Sequence, residues 1–389
     1  MTSSEPPPIK VLYVSHVGFL GGAERSLLDL IHALDRKRYD VRVVLPNAGE
    51  FSDRLQSIGV PCDLCPSLAR LQRTSSLLRK GRQAFSVLAG ALALRSITKR
   101  YSPSIVHTNS TTAALYALCL PARSRPPTLW HFRDLVLPAG IGPFLASRCS
   151  RIIVPSSCCR DLVSDIAAFD KIVTIPNGIE LTSGHDGGRP TDQAKANDDR
   201  ILITMIGQLA EWKGHTTAIE VARRVIAQCS NVNFLIVADA RLGATSITIS
   251  QLTETVRAYG LTDHVTINPS TDEIGAILAR ADILLHPAFP EPFGRVIIEA
   301  MAAECAVVAC AGAHGPGEIV RHEIEGLLVA SHSADDLADA VVRLVKNPML
   351  RQRMGRLARA RVVAEFHRGL MAQRMQSLYE SITFDQARP

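Results

Sequence analysis

Near-continuous apolar runs recur along this chain and alternate with segments of helical period. IKVLYVSH (9–16), YDVRVVLP (39–46), SIVHTN (104–109) and RIIVPSS (151–157) read as strands buried on both faces. Between them GAERSLLDLIHAL, the long segment 77–100 and TTAALYALCL read as helices. The pattern pauses at LTSGHDGGRPTDQAKANDDR (181–200), a Gly- and Asp-rich polar stretch that reads as a linker. It then restarts with ILITMIGQL, NVNFLIVA, HVTINP, ADILLHPA, CAVVACA and GLLVA as strands. From residue 333 onward the chain reads as helical, with Pro348 opening one helix at its first turn. Alternation of this kind predicts parallel sheets covered by helices. The expected class is α/β, with two doubly wound, Rossmann-like domains and a cleft between them. Residues 1–8 are expected to be disordered, 9–180 to form the N-terminal domain, 181–200 the linker and 201–365 the C-terminal domain. A length of 389 residues agrees with two cores rather than one.

Composition adds a class and charge adds a partner. With 47% hydrophobic and 21% charged residues, the chain reads as a soluble globular protein. MTSSEPPPIK lacks the features of a secretory signal, and AFSVLAGALAL (84–94) is about half the length that crosses a bilayer. Nine irregularly spaced cysteines argue against a disulfide framework and for a reducing, cytoplasmic setting. The lone CxxC at Cys62 and Cys65 has no second pair or His spacing to complete a zinc site. The net charge is +6, yet no acid occurs between Asp63 and Asp134, where eleven Lys and Arg residues fall. Such a field attracts an anionic partner. Segment 77–100, basic at both ends of an apolar centre, is the candidate contact with an anionic membrane surface. A solvated basic face is the competing reading. Nucleic acid is not expected, because no aromatic-interleaved basic strand, zinc finger or RNA-binding signature is present.

Ligands of doubly wound sheets bind outside the carboxyl ends of the strands, so the loops there carry the candidate chemistry. HPAFPEPFG (286–294) follows one such strand and opens a helix expected over 295–303. A helix start of this kind is a phosphate site. Glu291 precedes it and Glu299 lies inside it, so a bound nucleoside diphosphate would meet one acid at its ribose and the other beyond its phosphates. Equally, Glu299 reads as a buried acid satisfied by a backbone amide or an Arg. In GQLAEWKGH (207–215), Lys213 can reach a diphosphate and Gln208 can donate an amide hydrogen bond. GGAE after the first strand does not fit G-x-G-x-x-G, which removes the main support for an NAD enzyme. No Asp-x-Asp motif is evident, and no metal or other cofactor is expected.

Taken in order, EPFGRVIIEAMA, GQLAEWKGH, PNGIE (176–180) and GGAERSL (21–27) resemble the retaining nucleotide-sugar glycosyltransferases of family 4, which have the GT-B fold. The resemblance spans nearly the whole chain, AGAHGPGEIV and HEIEGLLV included. It implies transfer from a UDP-, GDP- or ADP-sugar to a saccharide or lipid-linked acceptor, with helix 366–389 returning to the N-terminal domain. Cell-envelope polysaccharide or glycolipid synthesis at the inner face of the plasma membrane is the setting it suggests. By the same resemblance Glu299 binds ribose, Glu291 contacts the donor sugar and Lys213 neutralises the diphosphate. Pro292, Phe293, Gly294 and Arg295 would line the phosphate and sugar, Gly21 and Gly22 would let backbone approach the donor, and His131 would face the donor sugar. His107, at another strand end, is a candidate for the acceptor side. Two departures stand out: Gln208 where family members usually have Arg, and VADARLGAT (237–245) where a V-G-x-G-P turn is common. Base recognition is expected near Pro269–Asp272. A nucleotide-sugar 2-epimerase on the same fold, or a non-catalytic saccharide- or lipid-binding protein, are the alternative readings.

Overall fold

A computed structural model describes residues 7–68, 77–119, 125–137, 140–181, 200–241, 246–269, 273–312 and 315–387, without the side chains of 77–83 and 385–387. The chain divides into two compact units, Met1–Gly178 with Arg368–Pro389, and Ile179–His367. Most of the expected disordered N-terminus and linker lies outside the described residues.

Seven parallel strands form the sheet of the first unit: β1 Ile9–Val14, β2 Tyr39–Leu45, β3 Cys62–Leu64, β4 Ile105–Thr108, β5 Thr128–His131, β6 Arg151–Val154 and β7 Ile172–Thr174. Their spatial order is β3-β2-β1-β4-β5-β6-β7. The second unit has six parallel strands: β8 Ile201–Gln208, β9 Val232–Asp239, β10 Val265–Asn268, β11 Ile283–His286, β12 Ala306–Cys310 and β13 Gly326–Val329, in the order β10-β9-β8-β11-β12-β13. In each sheet the order in which strands are added therefore reverses once, between β1 and β4 and between β8 and β11. Those are the switch points at which a ligand crevice opens in such sheets.

The apolar runs become central strands because helices cover both sheet faces. Val11, Leu12, Tyr13 and Val14 of β1 are all fully enclosed, as are all five residues of β12 within 1%. Helix α1 (Gly22–Ala33) buries Leu27, Leu30 and Ile31, while α12 (Ala334–Lys346) buries Leu337, Val341 and Leu344. Ser333 caps α12 by accepting from the amides of Asp335 and Asp336, and Pro348 opens α13 (Pro348–Glu365) as expected. The last helix, α14 (Arg368–Ala387), places Met371, Met375 and Tyr379 in the core of the first unit.

Candidate active site

At the switch point of the second sheet, β8 ends at Gln208 and a short 3₁₀ turn, Glu211–Lys213, leads into α7 (His215–Ile226). Across the reversal β11 ends at His286, and the loop 287–294 leads into α10 (Arg295–Ala302). The two loops are tied together, since the Phe289 amide donates to the Trp212 carbonyl at 2.9 Å. Lys213 Nζ donates to Glu291 Oε2 at 2.6 Å and lies 4.0 Å from the centre of the Trp212 ring. His286 Nε2 donates to the same carboxylate oxygen at 3.2 Å. With side chains only 14% and 7% exposed, Lys213 and Glu291 form a buried pair. The lysine assigned by resemblance to a diphosphate is thus held against the acid assigned to the sugar.

Burial alone would raise the Glu291 carboxyl, but the Lys213 charge and the His286 hydrogen bond outweigh it and bring its pKa to about 2. The folded value is below the ordinary 4.5, so this group stabilises the protein fully above about pH 4.5 and loses that contribution as pH falls toward 2. Urea titrations between those pH values are expected to show a shallower acid loss for Glu291→Gln than for the parent chain. Equal slopes would mean that other carboxylates govern acid sensitivity.

Gly294 precedes α10 with φ +96°, a left-handed conformation open to glycine, and so turns the amides of Phe293, Gly294 and Arg295 into the helix start. Phe293 anchors this turn, its ring edge-on to Phe366 with centroids 6.1 Å apart. Glu299 departs from the expectation of a wholly enclosed acid. The buried face of α10 is Ile297, Ile298, Ala300 and Met301, whereas Glu299 is half-buried one helical turn beyond Arg295 and accepts from its Nε at 2.8 Å. The Arg partner of the structural reading is therefore present, and the ion pair holds the carboxylate on the open side of the helix. Gln208 pairs in register with Asp239 at the end of β9, and Asp239 binds Arg241 through Nε at 2.9 Å and Nη2 at 2.8 Å. An arginine thus lies two residues beyond the end of the strand that pairs with Gln208.

The first unit carries its own polar cluster beside its switch point. Gly21 caps α1 in extended backbone and Gly22 begins the helix; a Cβ at Gly22 would meet nothing within 4 Å. Glu24, in the first turn, accepts from Ser15 Oγ at 3.1 Å and from Asn109 Nδ2 at 3.4 Å, and burial pushes its carboxyl upward. His107 and His131, near the ends of β4 and β5, are both buried. His107 Nε2 lies 3.1 Å from His131 Nδ1, and its Nδ1 lies 2.6 Å from the Tyr379 hydroxyl. Arg133 donates through Nη2 to His131 Nδ1 at 3.2 Å and through Nη1 to Asn177 Oδ1 at 2.6 Å. Burial and then the Arg133 charge push His107 down to about 3 and His131 well below the imidazole range, so both rings are neutral.

Two family models together account for most of the chain: Glycosyltransferase Family 4 matches residues 20–183, and Glycosyl transferases group 1 matches residues 190–361. The chain belongs to glycosyltransferase family 4. Among its relatives, the D-inositol 3-phosphate glycosyltransferase of Arthrobacter sp. is 27% identical over 269 residues, which are 67% of this chain and 61% of that enzyme. The chain thus spans less than two thirds of that relative's length. The enzyme of the same name from Rhodococcus erythropolis is 26% identical over 79% of this chain and 70% of its own. Among solved structures, Anabaena HepE in complex with UDP and glucose superposes with a TM-score of 0.79 at 21% identity, covering 96% of this chain and all of that one. Sucrose-phosphate synthase from Thermosynechococcus elongatus gives 0.80 at 22%, covering 97% of this chain and all of that one. The fold is GT-B, as the sequence led us to expect.

Of the residues singled out in the sequence, the second unit holds Gln208, Lys213, Glu291, Pro292, Phe293, Gly294, Arg295 and Glu299, and the first holds Gly21, Gly22 and His131. Sequence reasoning missed His286, Arg241, Glu24, Arg133 and Tyr379. His286 was within view, as the last residue of a strand five positions before Glu291. Residues 270–272, part of the expected base-binding stretch, and residues 242–245 of the departing loop lie outside the described residues. All nine cysteines are free thiols, and burial pushes Cys62 up to about 11. Among the described residues no three His, Cys, Asp or Glu side chains are grouped to hold a metal ion.

Proposed function

We propose that this chain moves a sugar, with retention of configuration, from a nucleoside-diphosphate sugar to a hydroxyl of a saccharide or lipid-linked acceptor. The observation that carries the reading is the convergence of the Lys213 ammonium and the start of α10 beside Glu291 at the switch point of the second sheet. Breaking a glycosyl–phosphate bond loads negative charge onto the departing diphosphate. A fixed cation and a helix amino end, both shielded from water, stabilise that charge without reorganising. In this reading Lys213 and the amides of Phe293–Arg295 hold the diphosphate, Glu299 takes the ribose hydroxyls and Glu291 those of the sugar. His131 offers a hydrogen bond to the transferred group. No metal is assigned a role. Incubation with UDP-, GDP- and ADP-sugars, with candidate acceptors and with a chelator present, is expected to give nucleotide release coupled to a new glycoside of the donor's own anomeric configuration. An altered free sugar would replace the reading with an epimerase, and no turnover of any donor would leave binding alone.

The acceptor reading is supported by α3 (Leu77–Tyr101). Phe85, Leu88 and Leu92, spaced along one face, are 74%, 55% and 51% exposed, while Ala91 and Leu94 are buried on the other. Among the described residues no helix is long and apolar enough to cross a membrane. An exposed apolar stripe on a helix ending in Lys99 and Arg100 suits an anionic lipid surface. The protein is expected to sediment with vesicles containing anionic lipid, less so in high salt, and Leu88→Asp should reduce the bound fraction several-fold. Equal sedimentation with neutral vesicles would reject this surface.

A further inference from the structure

A hydrogen-bonded row crosses the core of the first unit, and its two ends determine which way every proton in it points. Tyr13 Oη and Tyr379 Oη are 2.8 Å apart, Tyr379 Oη is 2.6 Å from His107 Nδ1, and His107 Nε2 is 3.1 Å from His131 Nδ1. Each contact alone permits either direction. At one end, Arg133 Nη2 reaches His131 Nδ1 at 3.2 Å, and a guanidinium only donates. His131 Nδ1 must then be bare, and its 3.1 Å contact with His107 is a hydrogen bond only if His107 Nε2 carries the proton and shares that lone pair with Arg133. A neutral His107 so protonated has a bare Nδ1, which accepts from Tyr379. That leaves the Tyr379 oxygen to accept from Tyr13, whose hydroxyl has no other hydrogen bond among the described residues. The opposite polarity would strand the Tyr13 proton in the core and set two donors against one another at Arg133.

We propose that His107, oriented by Tyr379 of the last helix, is a positioning residue that keeps His131 protonated on Nε2, as a hydrogen-bond donor to the substrate. A second observation points the same way. His131 is 2% exposed, and its Nε2 has no hydrogen-bond partner among the described residues. A buried N–H without an acceptor is costly, and a ligand oxygen removes that cost. This assignment makes His131 a donor and excludes it as a base, since the nitrogen left for substrate already holds its proton. It rests on the reading that His131 serves the substrate, but the polarity of the row can be measured without any turnover.

The direct test is a long-range ¹H–¹⁵N spectrum of the full chain labelled at histidine, with His131→Gln and His107→Gln used to assign the signals. Both imidazoles are expected to show a protonated Nε2 and a bare Nδ1; a proton on Nδ1 of His131 would overturn the proposal. Kinetics give the second arm. His107→Gln can still accept from Tyr379 and donate to His131, so it should keep most of the parent kcat, while His107→Leu should lower kcat about tenfold or more with little change in donor KM. Tyr379→Phe, which keeps the packed ring and removes one hydrogen bond, is expected to lower kcat about two- to tenfold. Parent-like kcat in both His107→Leu and Tyr379→Phe would reject the positioning role. Absence of turnover in the parent chain would sink the functional reading while the spectrum still decides the polarity.

Discussion

Lys213→Ala is expected to slow turnover about a hundred- to a thousandfold, the usual cost of deleting one fixed group that meets developing charge. Its neighbour complicates the comparison in an informative way. Glu291 is 2.6 Å from the ammonium and both side chains are buried, so truncating either one strands an opposite charge. Glu291→Ala should therefore cost about 3–5 kcal/mol of stability as well as turnover. Removing both charges together is a different experiment. The double variant Lys213→Met, Glu291→Gln leaves no unpaired ion and should recover most of the lost stability in urea unfolding. It should recover none of the lost rate, because the lysine's share of the positive potential at the proposed diphosphate site is gone. A double variant that regained turnover along with stability would make the pair a structural brace and remove it from the chemistry. Unchanged rates in both single variants would do the same.

Much of the fold was legible because parallel strands between two helix layers have no solvent face. IKVLYV and AVVAC announce themselves by carrying almost no polar residue, and their observed limits fall within a few positions of those expected. The strands that escaped notice are β3 and β7, three residues each at opposite edges of the first sheet, and β5, only four residues long. An edge strand has one pairing partner and a half-open face, so it needs no apolar run. The site divides along a similar line. Gln208, Lys213, Glu291 and Glu299 stand in motifs whose order along the chain carries the information. Their partnerships do not, because Lys213 and Glu291 are 78 residues apart and meet only once β8 and β11 are neighbours. Tyr379 is the extreme case, lying 272 residues from His107 in a segment whose sequence reads simply as helical. The Arg241–Asp239 pair beside Gln208 belongs here too, since register between β8 and β9 is what places it at the same sheet edge.

Gly315→Ala is expected to cut turnover about a hundredfold while the neighbouring Gly317→Ala leaves it near the parent rate. A Cβ at Gly315 would sit 2.3 Å from the Phe293 Cα, 2.6 Å from the Phe293 nitrogen and 2.6 Å from the Pro292 carbonyl oxygen. All three are backbone atoms of the turn that opens α10, so no side chain can swing aside. The same glycine donates its amide to the Glu291 carbonyl at 3.1 Å, bracing the loop at its other end. To admit a methyl group, the Pro292–Phe293 backbone must shift by an appreciable fraction of an ångström. The amides proposed to face phosphate and the Glu291 side chain would shift with it, and misplacements of about 1 Å in a reacting site cost on the order of a hundredfold. At Gly317 the nearest atom to a new Cβ is the Gly312 carbonyl oxygen at 3.9 Å, an ordinary contact. The two substitutions share chemistry and lie two residues apart, Gly315 just before and Gly317 within the short helix Pro316–Ile319, and differ chiefly in what the methyl meets. Nucleotide-release rates measured alongside urea unfolding separate the outcomes. A Gly315→Ala protein with parent turnover would show that the α10 start tolerates displacement, and the phosphate site would then have to lie elsewhere.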